Sequence, residues 1–214
     1  MTTQNRPRAS RKDDNSTSHS LIQRLQGNES HAWDEMVELY SPLIAYWCRK
    51  SGMEQHLCED LVQEIFHTVI KSIDRFHKEQ PSDTFRGWLR TITRSRIVDY
   101  QRRQSTEPDA VGGTEANLRL NAIGAAETYP NFDAASSNDE DEQSVLKDLY
   151  RRAIQMIRCD FSEQTFQAFW RVAVDGCNAT EVANELGMTS GAVRVAKSRV
   201  LKRLRDQLGD YASE

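Results

Sequence analysis

Asn178-Ala-Thr-Glu-Val-Ala-Asn-Glu-Leu-Gly-Met-Thr-Ser-Gly-Ala-Val-Arg-Val-Ala-Lys-Ser-Arg199 reads as two short helices joined by a tight turn. Asn178 is a good N-cap, and Glu181 falls at the third helical position, a capping-box-like start. Ala183 is small where the first helix must approach the second. Gly187 lies four residues on, where a turn needs positive φ. Thr189 caps the second helix, and Val193 follows six residues after Gly187 to pack back on the first. Val182, Leu186, Met188, Val193, Ala196 and Val200 make one apolar side. Arg194, Lys197, Arg199, Lys202, Arg203 and Arg205 occupy the rest, with no acid between Ser190 and Arg205, a local net of +6. Ser190, Gly191 and Ala192 leave room for close approach to base edges and phosphates. An amphipathic hairpin with a solvated basic face would not need capping, turn and spacing to agree. The pattern is that of a DNA-reading helix-turn-helix.

Upstream, residues 19–104 are helical throughout by periodicity. Leu21, Ile22 and Leu25 form a short face ending at Gly27. Ser30 is placed to cap a second helix, in which Trp33, Met36, Val37, Tyr40, Leu43, Ile44 and Trp47 recur at steps of three and four. Pro42 removes one backbone donor inside that run and predicts a kink. A third helix is expected from Leu57 to Phe76, with Leu61, Ile65, Val69 and Ile73 at consecutive fours and a polar flank of Asp60, Gln63, Glu64 and His67. A fourth runs from Phe85 to Arg103. There Trp88, Ile92 and Val98 are placed to reach a core, and six arginines against Asp99 give a local net of +5. Arginines interleaved with aromatics and hydroxyls suit strand-separated DNA, whose phosphates need cations and whose unstacked bases need platforms.

Between the helical blocks the character changes. From Glu107 to Glu142, nine acids face the lone cation Arg119, a local net of −8, with Gly112-Gly113, Pro108 and Pro130 and no sustained period. So long a structureless stretch reads as a linker between two domains. With no alternating β-branched runs, the chain is expected to be all-α. Two small helical domains, 20–104 and 143–208, are joined by an acidic flexible linker at 105–142. A disordered basic tail at 1–19 and a short tail at 209–214 flank them.

The whole chain has 214 residues, a formal charge of −4, 38% hydrophobic residues and a mean hydropathy of −0.70. No apolar run is long enough to span a membrane, and the first residues have no apolar stretch to act as a signal peptide. Cys48, Cys58, Cys159 and Cys177 are dispersed, which fits reduced thiols in a cytoplasm. An enzyme is disfavoured. His56, Cys58 and His67 do not share a helical face cleanly, and neither a phosphate-cradling glycine loop nor a nucleophile elbow is present. No cofactor is expected. The net acidity hides a segregated molecule, with cations concentrated on two helices.

Leu61-Val-Gln-Glu, Phe85-Arg-Gly-Trp-Leu and the Asn178–Arg199 unit, in this order, resemble the compact extracytoplasmic-function sigma factors of bacterial RNA polymerase. The resemblance covers 20–104 as the second sigma domain and 143–208 as the fourth. It implies a non-catalytic subunit that directs promoter-specific initiation. Asp60, Leu61, Gln63, Glu64 and Phe66 would dock on the clamp of the largest polymerase subunit. The helix from Phe85 would engage the minus-ten element, through Arg86, Trp88, Arg90, Arg94, Ser95, Arg102 and Arg103, and the loop His77–Thr84 would cup a flipped base. Ser95 departs from the family, which usually has Asn there: a single hydroxyl replaces an amide able to contact that base. Ser190, Gly191, Arg194 and Lys197 would lie nearest the bases of the minus-thirty-five element, with Arg199, Lys202 and Arg203 on phosphates. The resemblance also admits an anti-sigma protein as a partner. The acidic linker matches the family in position only. It reads either as solvated chain or as a polyanion threading a positive polymerase channel.

Overall fold

The computed structural model describes residues 20–77, 80, 83–105 and 140–209, and every regular element among them is helical. The tails at 1–19 and 210–214, residues 106–139 of the linker and residues 78, 79, 81 and 82 of the turn expected to cup a base lie outside the described residues. The elements are α1 (Leu21–Gln26), α2 (Ser30–Lys50), α3 (Gln55–Ser72), α4 (Phe85–Ser105), α5 (Glu140–Ile157), α6 (Glu163–Ala173), α7 (Ala179–Leu186) and α8 (Ser190–Gln207).

Local chemistry explains most of the boundaries, and corrects some expected ones. Ser20 opens α1 in a capping box: its hydroxyl accepts from the Gln23 amide at 3.3 Å, and the Gln23 side chain accepts from the Ser20 amide at 3.2 Å. Ser30 is not a cap but the first residue of α2. Glu29 holds the N-cap position without a side-chain bond to the helix, because its carboxylate is turned to Arg24 at 3.2 Å. The helix runs unbroken through Pro42. α3 stops at Ser72 rather than Phe76, and a 3-10 turn, Ile73–Arg75, tightens its end. Before α7 the Asn178 side chain accepts from the Thr180 amide at 2.9 Å rather than from Glu181. Gly187 ends α7 at φ 62°, and Thr189 caps α8 through the Ala192 amide at 3.1 Å.

In α4 the buried positions are Phe85, Leu89, Ile92, Thr93 and Ile97, with Trp88 half-buried. Val98 corrects the expected core: it lies across the helix from Phe85, Leu89 and Ile92 and is 39% exposed. Phe85 is fully enclosed, edge-on to Tyr40 and Phe76 at ring separations of 5.3 and 5.6 Å.

The two helical blocks share a core. Leu149, Ile157, Phe166, Phe169, Val200, Leu204 and Leu208 join the cluster built by α1–α4. Ala168, Val182, Ala183, Val193 and Ala196 form a separate small cluster inside the helix-turn-helix. The seam between the blocks also carries polar contacts. The Tyr40 hydroxyl donates to the Leu208 carbonyl at 2.7 Å, and Trp47 Nε1 donates to Glu142 at 3.3 Å. Arg24 grips Glu35 with both Nη atoms, at 2.9 and 2.8 Å, and the Gln207 amide donates to the same carboxylate at 2.6 Å. Gln207 in turn accepts from Arg203, which holds Asp160 at 2.7 Å.

Burial alone would raise the Glu35 carboxyl, but the hydrogen bonds from Arg24 and Gln207 outweigh it and leave its pKa below the ordinary value. A depressed carboxylate contributes stability above its unfolded pKa, and that stability is lost as pH falls through the folded value. Glu35→Gln should therefore cost about 2 kcal/mol at neutral pH. Thermal unfolding of wild type and variant should converge as pH drops below about 4.5, the ordinary carboxyl value. A constant gap down to lower pH would contradict the ionic role.

Candidate nucleic-acid interface and docking face

α3 separates its two functions by face. Asp60, Gln63 and Glu64 are exposed, as are Glu59 and His67, and they form an acidic stripe that continues to Ile70, itself 49% exposed. Leu61 and Phe66 are buried at 2% and 7% exposure, so they support the stripe from beneath and present nothing to a partner. Among the described residues no group of His, Cys, Asp and Glu is arranged to hold a metal ion. His56 and His67 are exposed, whereas Cys58 is in the core.

α4 divides its polar residues in the same way. Gly87, Thr91, Ser95, Val98 and Arg102 succeed one another at steps of three and four along the outer strip, Ser95 half-buried and the others exposed. Arg86 and Arg94 flank that strip and are half-buried. Arg90 points instead toward the seam, where it pairs with Glu142 at 3.2 Å and lies over the Trp47 ring at 5.7 Å. Arg103 reaches Glu64 at 3.4 Å, which links the acidic stripe of α3 to the basic end of α4. The aromatic platforms expected for unstacked bases are occupied. Phe85 is core, and Trp88 tilts against Phe76 and Phe85 at 5.1 and 5.6 Å.

α8 presents Gly191, Arg194, Val195, Ser198, Arg199 and Lys202 to solvent. Lys197 is half-buried on one flank and lines a shallow groove with Arg194, Ser198, Leu201 and Arg205. Ser190, the first helical residue, is half-buried as well. Arg203 is turned inward, held by Asp160 and Gln207, and acts in the seam. α7 is braced from behind: Gln164 Nε2 donates to the Leu186 carbonyl at 2.8 Å, and Arg171 pairs with Glu185 at 2.9 Å. These contacts hold α7 against α6.

Residues 36–107, which include both the acidic stripe of α3 and the arginine-rich α4, match the family described as sigma-70 region 2. The sigma factor SigE of Mycolicibacterium smegmatis, described as an extracytoplasmic-function RNA polymerase sigma factor, is 27% identical over 184 residues. The chain is similar to this family over residues 36–107. The match with SigE covers 86% of this chain and 64% of SigE, so the chain spans somewhat less than two thirds of that relative. SigD of Mycobacterium tuberculosis, another sigma factor of the same type, is 27% identical over 203 residues, 90% of this chain and 86% of SigD. The match with a solved structure of the RsbN–BldN complex covers 86% of this chain and 96% of the matched chain, with 17% identity and a TM-score of 0.34. The contacts that periodicity did not reveal in this chain are those of the seam, above all Trp47 and Glu142 around Arg90. No local pattern marks them, because Trp47 and Glu142 are 95 residues apart.

Proposed function

We propose that this sigma factor is a non-catalytic specificity subunit that binds core RNA polymerase through the exposed stripe of α3 and directs promoter-specific initiation. In this reading α4 engages the minus-ten element and α8 the minus-thirty-five element. The observation that carries it is the division of charge between faces: Asp60, Gln63 and Glu64 offer an acidic surface for a protein partner, while the outer face of α8 is cationic and acid-free from Ser190 to Arg205. Within α4, Arg86, Arg94, Ser95 and Arg102 lie on or beside the outer strip. Arg90 reaches DNA only by leaving Glu142. Arg199 and Lys202 suit phosphates, whereas Arg203 serves the fold.

Transcription with purified core polymerase over a promoter library tests the whole assignment. Sequence-dependent initiation that requires this chain is the expected result, and initiation no better than with core alone would refute it. Arg194→Ala should weaken binding to the selected upstream element by about 1–3 kcal/mol and relax base preference at one position. Footprints identical to wild type would remove Arg194 from the reading face.

A further inference from the structure

Val195 is 50% exposed in the middle of the cationic face of α8. An isolated exposed valine is ordinary on a protein surface; its setting here is not. Val193, Ala196 and Val200 are buried and define the inner seam of the helix. At about 100° per residue, Val195 lies within roughly 40° of the line opposite that seam. Its neighbours on the same arc are Gly191, with no side chain, and Ser198, with a short one. A Cβ placed on Gly191 would meet only the Thr189 hydroxyl, at 3.9 Å, so Val195 is the tallest side chain on that arc between Gly191 and Ser198, with exposed Lys202 two turns beyond it. Arg194 and Arg199 stand at the margins.

Arg199 suits a phosphate and Arg194 a base edge, and neither gains anything from two methyl groups between them. When the helix enters a major groove the valine loses its water, and that loss is favourable only against an apolar surface. The groove floor offers one such group, the C5-methyl of thymine. We propose that Val195 is a specificity-determining residue that selects a thymine in the upstream promoter element by packing on its methyl group. This rests on the assignment of α8 to duplex DNA given above.

The test uses the full chain reconstituted with core polymerase and the upstream element recovered from the promoter library. Each thymine of that element is replaced in turn by uracil, which removes only the methyl, and binding is measured for wild type and for Val195→Ala. One position should lose about 4-fold in affinity on demethylation with wild type, the value of one buried methyl-sized group. The Val195→Ala variant should be indifferent to the same change. Binding unaffected by uracil at every thymine, or an equal penalty in both proteins, would overturn the proposal. So would a Val195→Ala variant that weakens equally on all duplexes, which would place the valine against protein. Failure of the reconstituted enzyme to select any upstream element is a different result: it would refute the reading of α8 itself.

Discussion

Gly209→Ala should unfold this protein at a temperature lower by about 5–15 °C, from a destabilisation of about 2–5 kcal/mol. Two costs combine at that position. The backbone has φ 67°, in the left-handed region that an L side chain enters at a cost of about 1–2 kcal/mol. A Cβ there would also stand 2.9 Å from both Cγ1 and Cδ1 of Ile22 and 3.1 Å from the Cβ of Phe85. Ile22 and Phe85 are buried and belong to the core of the first helical block, so neither can swing away into solvent. The chain end after α8 would be forced off its seat, and the Tyr40–Leu208 hydrogen bond one residue away would go with it.

Gly187→Ala supplies the control. Its φ is 62°, nearly the same, but nothing lies within 4 Å of the added carbon. It should therefore show the backbone cost alone. Thermal melts of the two variants side by side separate strain from overpacking. Equal losses in both would mean that the seat of Gly209 yields and that the seam is soft. The small cluster within the helix-turn-helix is distinct from the shared core, so secondary structure in α7 and α8 should survive the Gly209 change.

This seam also marks how far the sequence could be read. The helix-turn-helix was legible because each of its determinants is local: a cap two or three residues from its amide, a glycine at the turn, valines at helical spacing. The acidic and basic characters of α3 and α4 were legible for the same reason. What could not be read is which members of an amphipathic pattern meet another helix. Leu61 and Phe66 share the α3 motif with Asp60, Gln63 and Glu64, yet only those three of the five are exposed. Arg203 looked like the other cations of α8, and only the fold brings Asp160 to it across 43 residues. Arginines blur the apolar period of α4, so its pattern does not tell the outward Val98 from the buried Phe85, Leu89 and Ile92. Tyr40 and Leu208, 168 residues apart, have no signature at all.

If the proposed function holds, charge reversal at Asp60 and Glu64 should abolish co-elution of the protein with core polymerase, by a loss of at least about 100-fold in affinity. Both carboxylates are exposed on one side of α3, a turn apart. If the partner surface is basic, each substitution to lysine replaces an attraction with a like-charge contact, and such contacts cost several kcal/mol in an interface. The fold should tolerate the change. Asp60 is free of core contacts by its exposure, and the Glu64–Arg103 pair that would be lost is about half exposed on both sides, at 3.4 Å. A pair of that kind contributes about 0–1 kcal/mol, so helical content and melting temperature should stay close to wild type. Truncating Leu61 or Phe66 would not make the same point, since both are buried and their loss would damage the core before it touched the interface. The comparison therefore has to be made on the surface, with the Asp60→Lys, Glu64→Lys double variant against a reversal at Glu140, an exposed acid at the start of α5 and away from the stripe. Loss of binding in the first and not in the second would assign the stripe to core polymerase. Normal co-elution of the double variant would remove α3 from the docking surface, and equal loss in both would mean that overall charge, not the stripe, governs association.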